Sequence, residues 1–400
     1  MKKSLFAVAA LTAIAGSAQA QSSVTVYGLL DVGYIGSNLR GTTAGTNTAA
    51  STQQLQQTSQ FGNGAESTSR LGFKGNEDLG GGTSAFFTIE TGLTPTGSTM
   101  STWNNRQSFV GLKKNGIGQF AIGTQYTPMF NKVSETDPGQ LNNLIGNVIY
   151  ATNSFTNNIN GQGTVANPYG NASSPNGTTN DAFTSRTSNT LSVQSDTYAG
   201  FKAAAVFVQN NVNQTQVAAT NGGNTNWNGW GLSADYTWNK LYVAGAYQAF
   251  KSIQPGTLTA PAPAIASTSF GGTNTQDNQG YLAATYDFGI LKAYAQWATR
   301  KATDSLNSNY YAKRQAQQLG VRSYITPVVE AWASVGNGRL TTYGQNVPTA
   351  NFVAYQVGSN YWLSKRTNLY AAFGSAQTSS TSTQNGVNGN NYAVGVRHAF

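Results

Sequence analysis

Two short strands and a polar turn occupy Tyr361 to Gly374, where the sequence reads YWLSKRTNLYAAFG. Apolar side chains recur at every second position on both sides of the turn, at Val353, Tyr355, Val357, Leu369, Ala371 and Phe373. Side chains of a strand alternate between its two faces, so this spacing around Ser364-Lys365-Arg366 predicts a β-hairpin. Similar units begin at Tyr236, Tyr286 and Tyr324. The chain therefore repeats one hairpin unit many times.

The composition favours a β-barrel over an ordinary globular domain. Charged residues make up 9% of the 400-residue chain and hydrophobic residues 39%, against about 25% and about 45–50% in typical globular domains. Tyrosine and phenylalanine are frequent, with 20 and 18 copies. A barrel with an apolar outer face and a polar interior needs few charges and no large core. The chain has no cysteine, which excludes disulfides, thiol catalysis and zinc–thiolate sites.

The first twenty residues have the order of a secretory signal peptide. Lys2 and Lys3 precede an apolar run from Leu5 to Ala15, and Ala18-Gln19-Ala20 follows with small residues at the cleavage positions. We predict that residues 1–20 are removed by cleavage between Ala20 and Gln21, which leaves a single barrel domain at 21–400. A membrane helix is the alternative for this run, but a span needs about 20 apolar residues.

The rest of the chain is predicted to contain sixteen short strands, separated alternately by short turns and long polar loops. The first strand ends near Val32, and the polar stretch from Asn38 to Ala65 is predicted to be a loop. The longest gap, residues 127–185, far exceeds an ordinary connection and is expected to be functional. An even number of strands of about 10 residues is typical of an all-β, antiparallel transmembrane barrel with short periplasmic turns and long extracellular loops.

Charged residues keep to one face of these strands. Arg70 and Lys74 share a phase opposite to that of Leu71 and Phe73. The same segregation occurs around Glu90, Asp235, Lys292, Arg300 and Glu330. Because a charge that faces lipid at mid-membrane costs about 2–4 kcal/mol, a bilayer enforces this pattern. A soluble β-sandwich with one solvated face predicts the same alternation and is the competing interpretation.

Five motifs, in order along the chain, resemble those of a known family. They are YGLLD at 27–31, RLGFKGNEDLG at 70–80, NRQSFVGL at 105–112, LSKRT at 363–367 and the ending VRHAF at 396–400. The chain resembles the general diffusion porins of Gram-negative outer membranes, in the neisserial and related trimeric branch. The resemblance implies a homotrimer of sixteen-stranded barrels, each with its third extracellular loop, 127–185, folded into the lumen. It also implies that the outer-membrane barrel assembly machinery reads a signal in the last strand, formed by Phe400, His398, Val396, Val394 and Tyr392.

The same resemblance implies a pore constriction with a basic wall and an acidic loop. The basic wall residues are Arg70, Lys74, Arg106 and Arg186, which lie on the predicted lumen face. The acidic loop residues are Glu135 and Asp137. Relatives often carry an arginine where this chain has Thr124, so we expect a less basic wall.

The expected function is passive diffusion of ions and small hydrophilic solutes through a water-filled lumen. Wall arginines and lysines outnumber the two loop acids, which predicts a mild anion preference. One rival is a sugar-selective channel, in which Tyr294, Trp332 and Tyr370 would supply an aromatic track along the lumen. Another is a surface adhesin or receptor.

Other classes of function are not expected. The only histidine, His398, faces outward by phase, so the chain lacks the usual base of a hydrolase. The net charge of +9 is scattered, without the basic, aromatic-interleaved cluster of a nucleic-acid site. We predict neither a cofactor nor a metal site. The expected partners are further copies of the chain, outer-membrane lipid and lipopolysaccharide, the assembly machinery and the diffusing solutes.

Overall fold

The structure is a computed structural model that describes residues 23–42, 53–99, 105–150, 177–179, 182–215, 223–253, 274–305, 308–309, 311–343, 350–378 and 387–400. The predicted signal peptide, its cleavage site between Ala20 and Gln21, and residues 151–176 of the longest gap lie outside these ranges. Within the described ranges, no helix is long and apolar enough to cross a membrane.

The described strands join in one antiparallel sheet. They are β1 (Ser23–Thr42), β2 (Gln53–Asn63), β3 (Arg70–Gly80), β4 (Thr83–Gly92), β5 (Asn105–Lys114), β6 (Gly118–Tyr126), β7 (Gly177–Thr179), β8 (Thr184–Ser195), β9 (Phe201–Val212), β10 (Thr225–Trp238), β11 (Leu241–Ile253), β12 (Thr275–Asp287), β13 (Lys292–Asp304), β14 (Tyr311–Thr326), β15 (Val329–Tyr343), β16 (Ala350–Trp362), β17 (Thr367–Thr378) and β18 (Val387–Ala399).

All of these strands except β7 form the wall of a closed barrel, and β2 and β3 count together as one wall strand, so the wall has sixteen strands. β2 and β3 lie end to end along β1, because β2 pairs with β1 from Val32 onward and β3 pairs with β1 up to Leu29. They act as one wall strand that is interrupted at 64–69. The short strand β7 pairs with the start of β8 and belongs to the third loop. The predicted sixteen-stranded antiparallel barrel is thus confirmed.

The ring closes between the first and the last of the described strands. β1 pairs with β18 from Leu29 and Ala399 to Gly41 and Val387. Beyond that ladder, Gly28 and Phe400 exchange two backbone hydrogen bonds of 3.0 and 3.1 Å. A closed sheet leaves no unpaired edge. A β-sandwich would require two separate sheets, so the soluble alternative is excluded.

The two faces of the wall differ as the alternation predicts. On β13, Arg300 is 2% exposed while Trp297, three residues earlier, is 40% exposed. Large apolar side chains on the outer face include Val26, Phe73, Val110, Ile122, Leu232, Leu282, Leu319 and Val394. Buried polar side chains on the inner face include Asp31, Glu90, Gln248, Arg322, Glu330 and Gln356. This is the apolar-out, polar-in pattern of a transmembrane barrel.

The prediction that Asn38 to Ala65 form a loop is wrong over most of that range. β1 continues to Thr42, and β2 returns antiparallel to it, with Thr42 opposite Gln53 and Val32 opposite Asn63. The backbone ladder holds this extension together with a few side-chain contacts, such as the edge-to-face contact of Tyr34 and Phe61 at 6.0 Å between ring centres. The Gln, Ser and Thr residues of β2 carry no apolar alternation. A strand that projects beyond the membrane lacks the pattern by which the other strands were predicted.

Candidate functional site

The third loop enters the barrel at the end of β6 with a helix, α1 (Pro128–Thr136). Thr127 caps it by accepting a 3.2 Å hydrogen bond from the N–H of Phe130 on its Oγ1. Pro128 occupies the first turn, where its missing N–H costs nothing. Met129 and Val133 are buried in one apolar cluster with Phe183. The helix therefore lies with its apolar side against the inner wall rather than projecting outward.

A buried lysine ties the same helix to the wall. The Nζ atom of Lys132 donates to Oδ1 of Asp235 on β10 at 2.5 Å, to Oε2 of Glu135 at 2.7 Å and to the hydroxyl of Tyr242 on β11 at 3.3 Å. The hydroxyl of Tyr242 also donates to Glu135. Lys132 is 5% exposed, so these bonds operate away from bulk water. Glu135 keeps 41% of its side-chain exposure, but it is held against the wall of β10 and β11.

Asp137 organises the turn after the helix. Its carboxylate accepts hydrogen bonds from the backbone N–H of Leu141 at 2.8 Å, from Nδ2 of Asn147 at 2.7 Å and from Nε2 of Gln318 at 3.3 Å. Burial raises the pKa of the Asp137 carboxyl, and these donors oppose the rise. At 3% exposure, this acid holds the loop in shape and does not line an open channel.

The returning part of the loop is bound by glutamine side chains of the inner wall. Gln356 on β16 donates to the carbonyl oxygens of Leu144 and Ile145 at 2.8 and 2.9 Å. Gln318 on β14 accepts from the N–H of Val148 at 3.1 Å. Gln248, Gln279 and Gln296 extend this row along β11, β12 and β13, and all five glutamines are at most 4% exposed. A glutamine side-chain amide both donates and accepts hydrogen bonds. The row can therefore pair with the backbone N–H and C=O groups of the loop, which have no neighbouring strand as a partner.

Basic side chains also contact the loop on this side. Arg322 donates to the carbonyl of Pro138 at 3.0 Å and pairs with Glu330 at 2.6 Å. Arg314 donates to the carbonyl of Val148 at 2.7 Å. The tip of the loop reaches the break between β2 and β3, where Asn143 donates to the carbonyl of Gly64 at 2.6 Å. The loop thus crosses the lumen and covers the wall from β10 to β18.

Three arginines lie on the wall from β3 to β8. Arg106 on β5 donates to Oε1 of Glu90 at 2.7 Å and to the hydroxyl of Tyr126 at 2.8 Å. Arg186 on β8 lies opposite Tyr126 in the sheet, with its guanidinium carbon 5.8 Å from the centre of that ring. Arg70 on β3 donates to Oγ of Ser67 at 3.3 Å. Together, Arg70, Arg106 and Arg186 are called the arginine wall below.

The arginine wall carries positive charge that is only partly neutralised. Among the described residues, Arg106 forms an ion pair with Glu90, whereas Arg70 and Arg186 have no carboxylate within ion-pair distance. One guanidinium nitrogen of Arg186 is buried without a hydrogen-bond partner among those residues. Arg106 and Arg186 both contact Tyr126, so these two like charges lie on the same part of the wall.

The structure brings together three of the six predicted constriction residues. Lys74 lies on the same face of β3 as Arg70, but it is four residues closer to the short turn, about 13 Å along the strand. Its ammonium group is 5.5 Å from the ring centre of Tyr27. Glu135 and Asp137 are engaged by the opposite wall. The loop surface next to the arginine wall is aromatic instead, because Phe130 stacks on Tyr126 at 4.0 Å between ring centres.

Sequence reasoning missed the glutamine row and the Phe130–Tyr126 stack. A signal for the first existed: Gln248, Gln279, Gln296, Gln318 and Gln356 all fall on the lumen phase of successive hairpins. No comparable signal marks Phe130, since its partner depends on where the loop turns.

The proposed aromatic track of a sugar channel is covered. Tyr294, Trp332 and Tyr370 are 8%, 4% and 4% exposed. The hydroxyl of Tyr370 donates to Asp31 at 2.6 Å. The loop passes directly over Trp332, because a Cβ on Gly139 would lie 3.2 Å from its ring. These rings do not form a solute-accessible path.

The last strand places its signal residues at the outer face. Tyr392, Val394 and Phe400 are 43%, 51% and 41% exposed. His398 is also exposed, with Nδ1 2.8 Å from the hydroxyl of Thr367. Within the described ranges, no group of three or more His, Asp or Glu side chains is placed to hold a metal ion.

Comparison with known proteins gives this architecture a family. The model of the family described as Gram-negative porin matches residues 7–381. The chain belongs to the Gram-negative porin family. This porin is 28% identical to outer membrane porin protein 32 of Delftia acidovorans over the full length of both chains. It is 34% identical to major outer membrane protein P.IB of Neisseria gonorrhoeae over 149 residues, which cover 37% of this chain and 39% of that protein.

The solved structures that resemble this porin share its fold. The anion-selective porin from Comamonas acidovorans superposes with a TM-score of 0.66 at 20% identity, over 95% of this chain and all of that one. OmpT of Vibrio cholerae superposes with a TM-score of 0.58 at 13% identity. Family, relatives and closed barrel together make this porin an outer-membrane diffusion channel of a Gram-negative bacterium.

Proposed function

We propose that this porin favours anions among the ions and small hydrophilic solutes that it passes, and that the arginine wall sets this preference. The observation that carries the proposal is the pairing of charges around the lumen. Arg70, Lys74 and Arg186 have no carboxylate partner among the described residues, whereas Glu135 already pairs with Lys132.

A water-filled passage lined by fixed charge of one sign concentrates counter-ions and raises their flux. Asp137 contributes little opposing charge, because it is buried in the third loop. Phe130 and Tyr126 add an apolar surface next to the guanidinium groups. Small anions should therefore pass close to the wall of β3, β5 and β8. The anion-selective porin from Comamonas acidovorans, which has the same fold, is consistent with this proposal.

Reversal potentials test the proposal directly. The purified porin would be inserted into a planar bilayer between two unequal KCl solutions, and the potential at zero current would be measured. We expect the sign that corresponds to chloride permeating faster than potassium. A potential of the opposite sign would refute the assignment of the arginine wall, while the channel function itself would stand.

We further propose that the porin assembles as a homotrimer and that the barrel assembly machinery recognises its last strand. Phe400, Val394 and Tyr392 support the second point, since they line up along the exposed outer face of β18. Cross-linking of the folded porin in detergent would count the copies. Deletion of Phe400 should lower the amount of folded porin in the outer membrane.

A further inference from the structure

The outer face of the barrel carries a group of cations above its apolar band. Lys301 on β13 lies directly opposite Lys313 on β14, and Arg339 on β15 lies opposite Gln315, two positions along β14. The lumen-facing neighbours on the same strands are Arg300 and Arg314, so these cations point outward. Lys301, Lys313 and Arg339 are called the outer basic patch below.

The charges of this patch are not balanced by acids. Directly opposed like charges on neighbouring strands are destabilising. In the part of the chain that the structure describes, no carboxylate lies within ion-pair distance of Lys301, Lys313 or Arg339. The ammonium group of Lys301 lies 4.5 Å from the ring centre of Tyr311. An external anion would remove the repulsion that this arrangement creates.

The position of the patch along the barrel axis indicates its surroundings. Toward the short turns, the same strands expose Trp297, Leu319 and Val335 on the outer face. Toward the long loops, the strands end within a few residues of the patch. Since porin loops face the cell exterior, the patch lies at the level of the outer-leaflet headgroups.

A polar depression adjoins the cations. It has a volume of about 700 Å³ and is lined by Gln315, Gln317, Asn337, Arg339, Asn351 and Gln377. Amide side chains that face hydrocarbon would be costly, whereas amide N–H groups beside guanidinium and ammonium groups bind phosphate and sugar hydroxyls well. The depression borders Trp297 and Val353, which offer an apolar surface to acyl chains.

We propose that the outer basic patch and this depression bind the phosphorylated headgroup of an outer-leaflet lipid, with its acyl chains along Trp297, Leu319 and Val335. A second copy of the chain fits less well, because it would have to bring acids to this level. Among the described residues, the exposed carboxylates Glu77, Asp78 and Asp287 lie at the short turns on the opposite rim.

Native mass spectrometry of the folded porin with added lipid A tests the proposal. The variant K301Q/K313Q/R339Q removes the cations, and K240Q/K365Q/R366Q removes three exposed cations at the short turns as the matched control. Each basic residue near an anionic surface contributes roughly a fivefold change in affinity. We therefore expect binding about 100-fold weaker in the first variant and unchanged binding in the control. Lipid A without its phosphates should bind the wild type as weakly as lipid A binds the first variant.

The wild type alone provides a second measurement that needs no variant to fold. Its lipid A binding should fall steeply between about 0.1 M and 1 M salt, where the Debye length shrinks from about 10 Å to about 3 Å. Equal binding by both variants, indifference to the lipid phosphates or insensitivity to salt would each overturn the proposal. So would loss of oligomers with unchanged lipid binding, because the face would then be a protein interface. Channel conductance should be the same in all three proteins, since the patch does not face the lumen.

Discussion

The Nζ atom of Lys132 on α1 lies 2.5 Å from Oδ1 of Asp235 on β10, and both side chains are buried. This ion pair connects a loop helix to the barrel wall across 103 residues of sequence. A buried pair contributes little compared with apolar packing, but removal of one partner leaves an uncompensated charge. The pair therefore holds the helix of the third loop against the barrel wall. Loss of either partner should destabilise this attachment.

Replacement of Lys132 by methionine should loosen the third loop. Asp235 and Glu135 would face each other without a cation, which costs about 3–5 kcal/mol for a buried pair. We expect noisier single-channel currents with frequent partial closures, and a lower unfolding temperature in detergent. Ser134→Ala on the exposed side of the same helix is the control and should leave both properties unchanged. A quiet, fully stable K132M channel would show that the apolar cluster alone holds the helix.

Replacement of Arg186 by glutamine should reduce the anion preference without unfolding the barrel. One charge about 8 Å from a permeating ion contributes about 0.5 kcal/mol in water, which is roughly a factor of two in the permeability ratio. Reversal potentials in a KCl gradient measure that ratio. The effect should shrink in concentrated salt, where screening is strong.

Lys74→Gln is the matched control for Arg186→Gln, because Lys74 faces the same lumen away from the arginine wall. We expect a smaller change in the permeability ratio from this control. An equal effect of both substitutions would mean that total lumen charge, and not the arginine wall, sets the preference.

The sequence predicts the barrel better than it predicts the site. The number of strands, and the side of the wall to which each side chain points, follow from the alternation of apolar and polar side chains. The bilayer imposes this alternation on each strand separately. The arginines lie on regular strands, so their inward direction follows from the same rule. Asp137 and Glu135 lie where the chain leaves the sheet, and their contacts depend on the path of the loop. The sequence does not show whether an acid in a loop lines the channel or is buried. Asp137 is buried and accepts three hydrogen bonds.

The third loop should lose stability as the pH rises, through Asp137. Burial raises the pKa of this carboxyl, so its neutral form favours the folded loop. The contribution is fully present below the unfolded pKa of about 3.9 and is lost as the pH rises through the higher folded pKa. The substitution D137N cannot ionise and removes this dependence.

Hydrogen exchange of the amides at 137–150 would be measured for wild type and D137N across the acidic range. We expect wild-type protection to fall relative to D137N as the pH rises. In D137N the side-chain amide can face the N–H of Leu141, which shifts the protection of the loop by an amount that does not vary with pH. Parallel curves for the two proteins would exclude Asp137 as the titrating group.

Closure of the barrel should depend on the small size of residue 28. A Cβ built on Gly28 would lie 2.3 Å from Cζ of Phe400 and 2.8 Å from the backbone oxygen of Arg70, so even alanine must displace the terminal ring and crowd β3. We expect G28A to fold more slowly and to unfold at lower temperature, because the displaced ring strains the backbone pairing that joins Gly28 to Phe400. The fraction of folded porin, measured as the heat-modifiable band on a gel, reports both effects. Gly245→Ala on β11 is the control, since its nearest neighbours would be 3.8 Å from the added carbon. If G28A and G245A fold alike, the close approach of residue 28 to the terminal ring does not limit closure of the barrel.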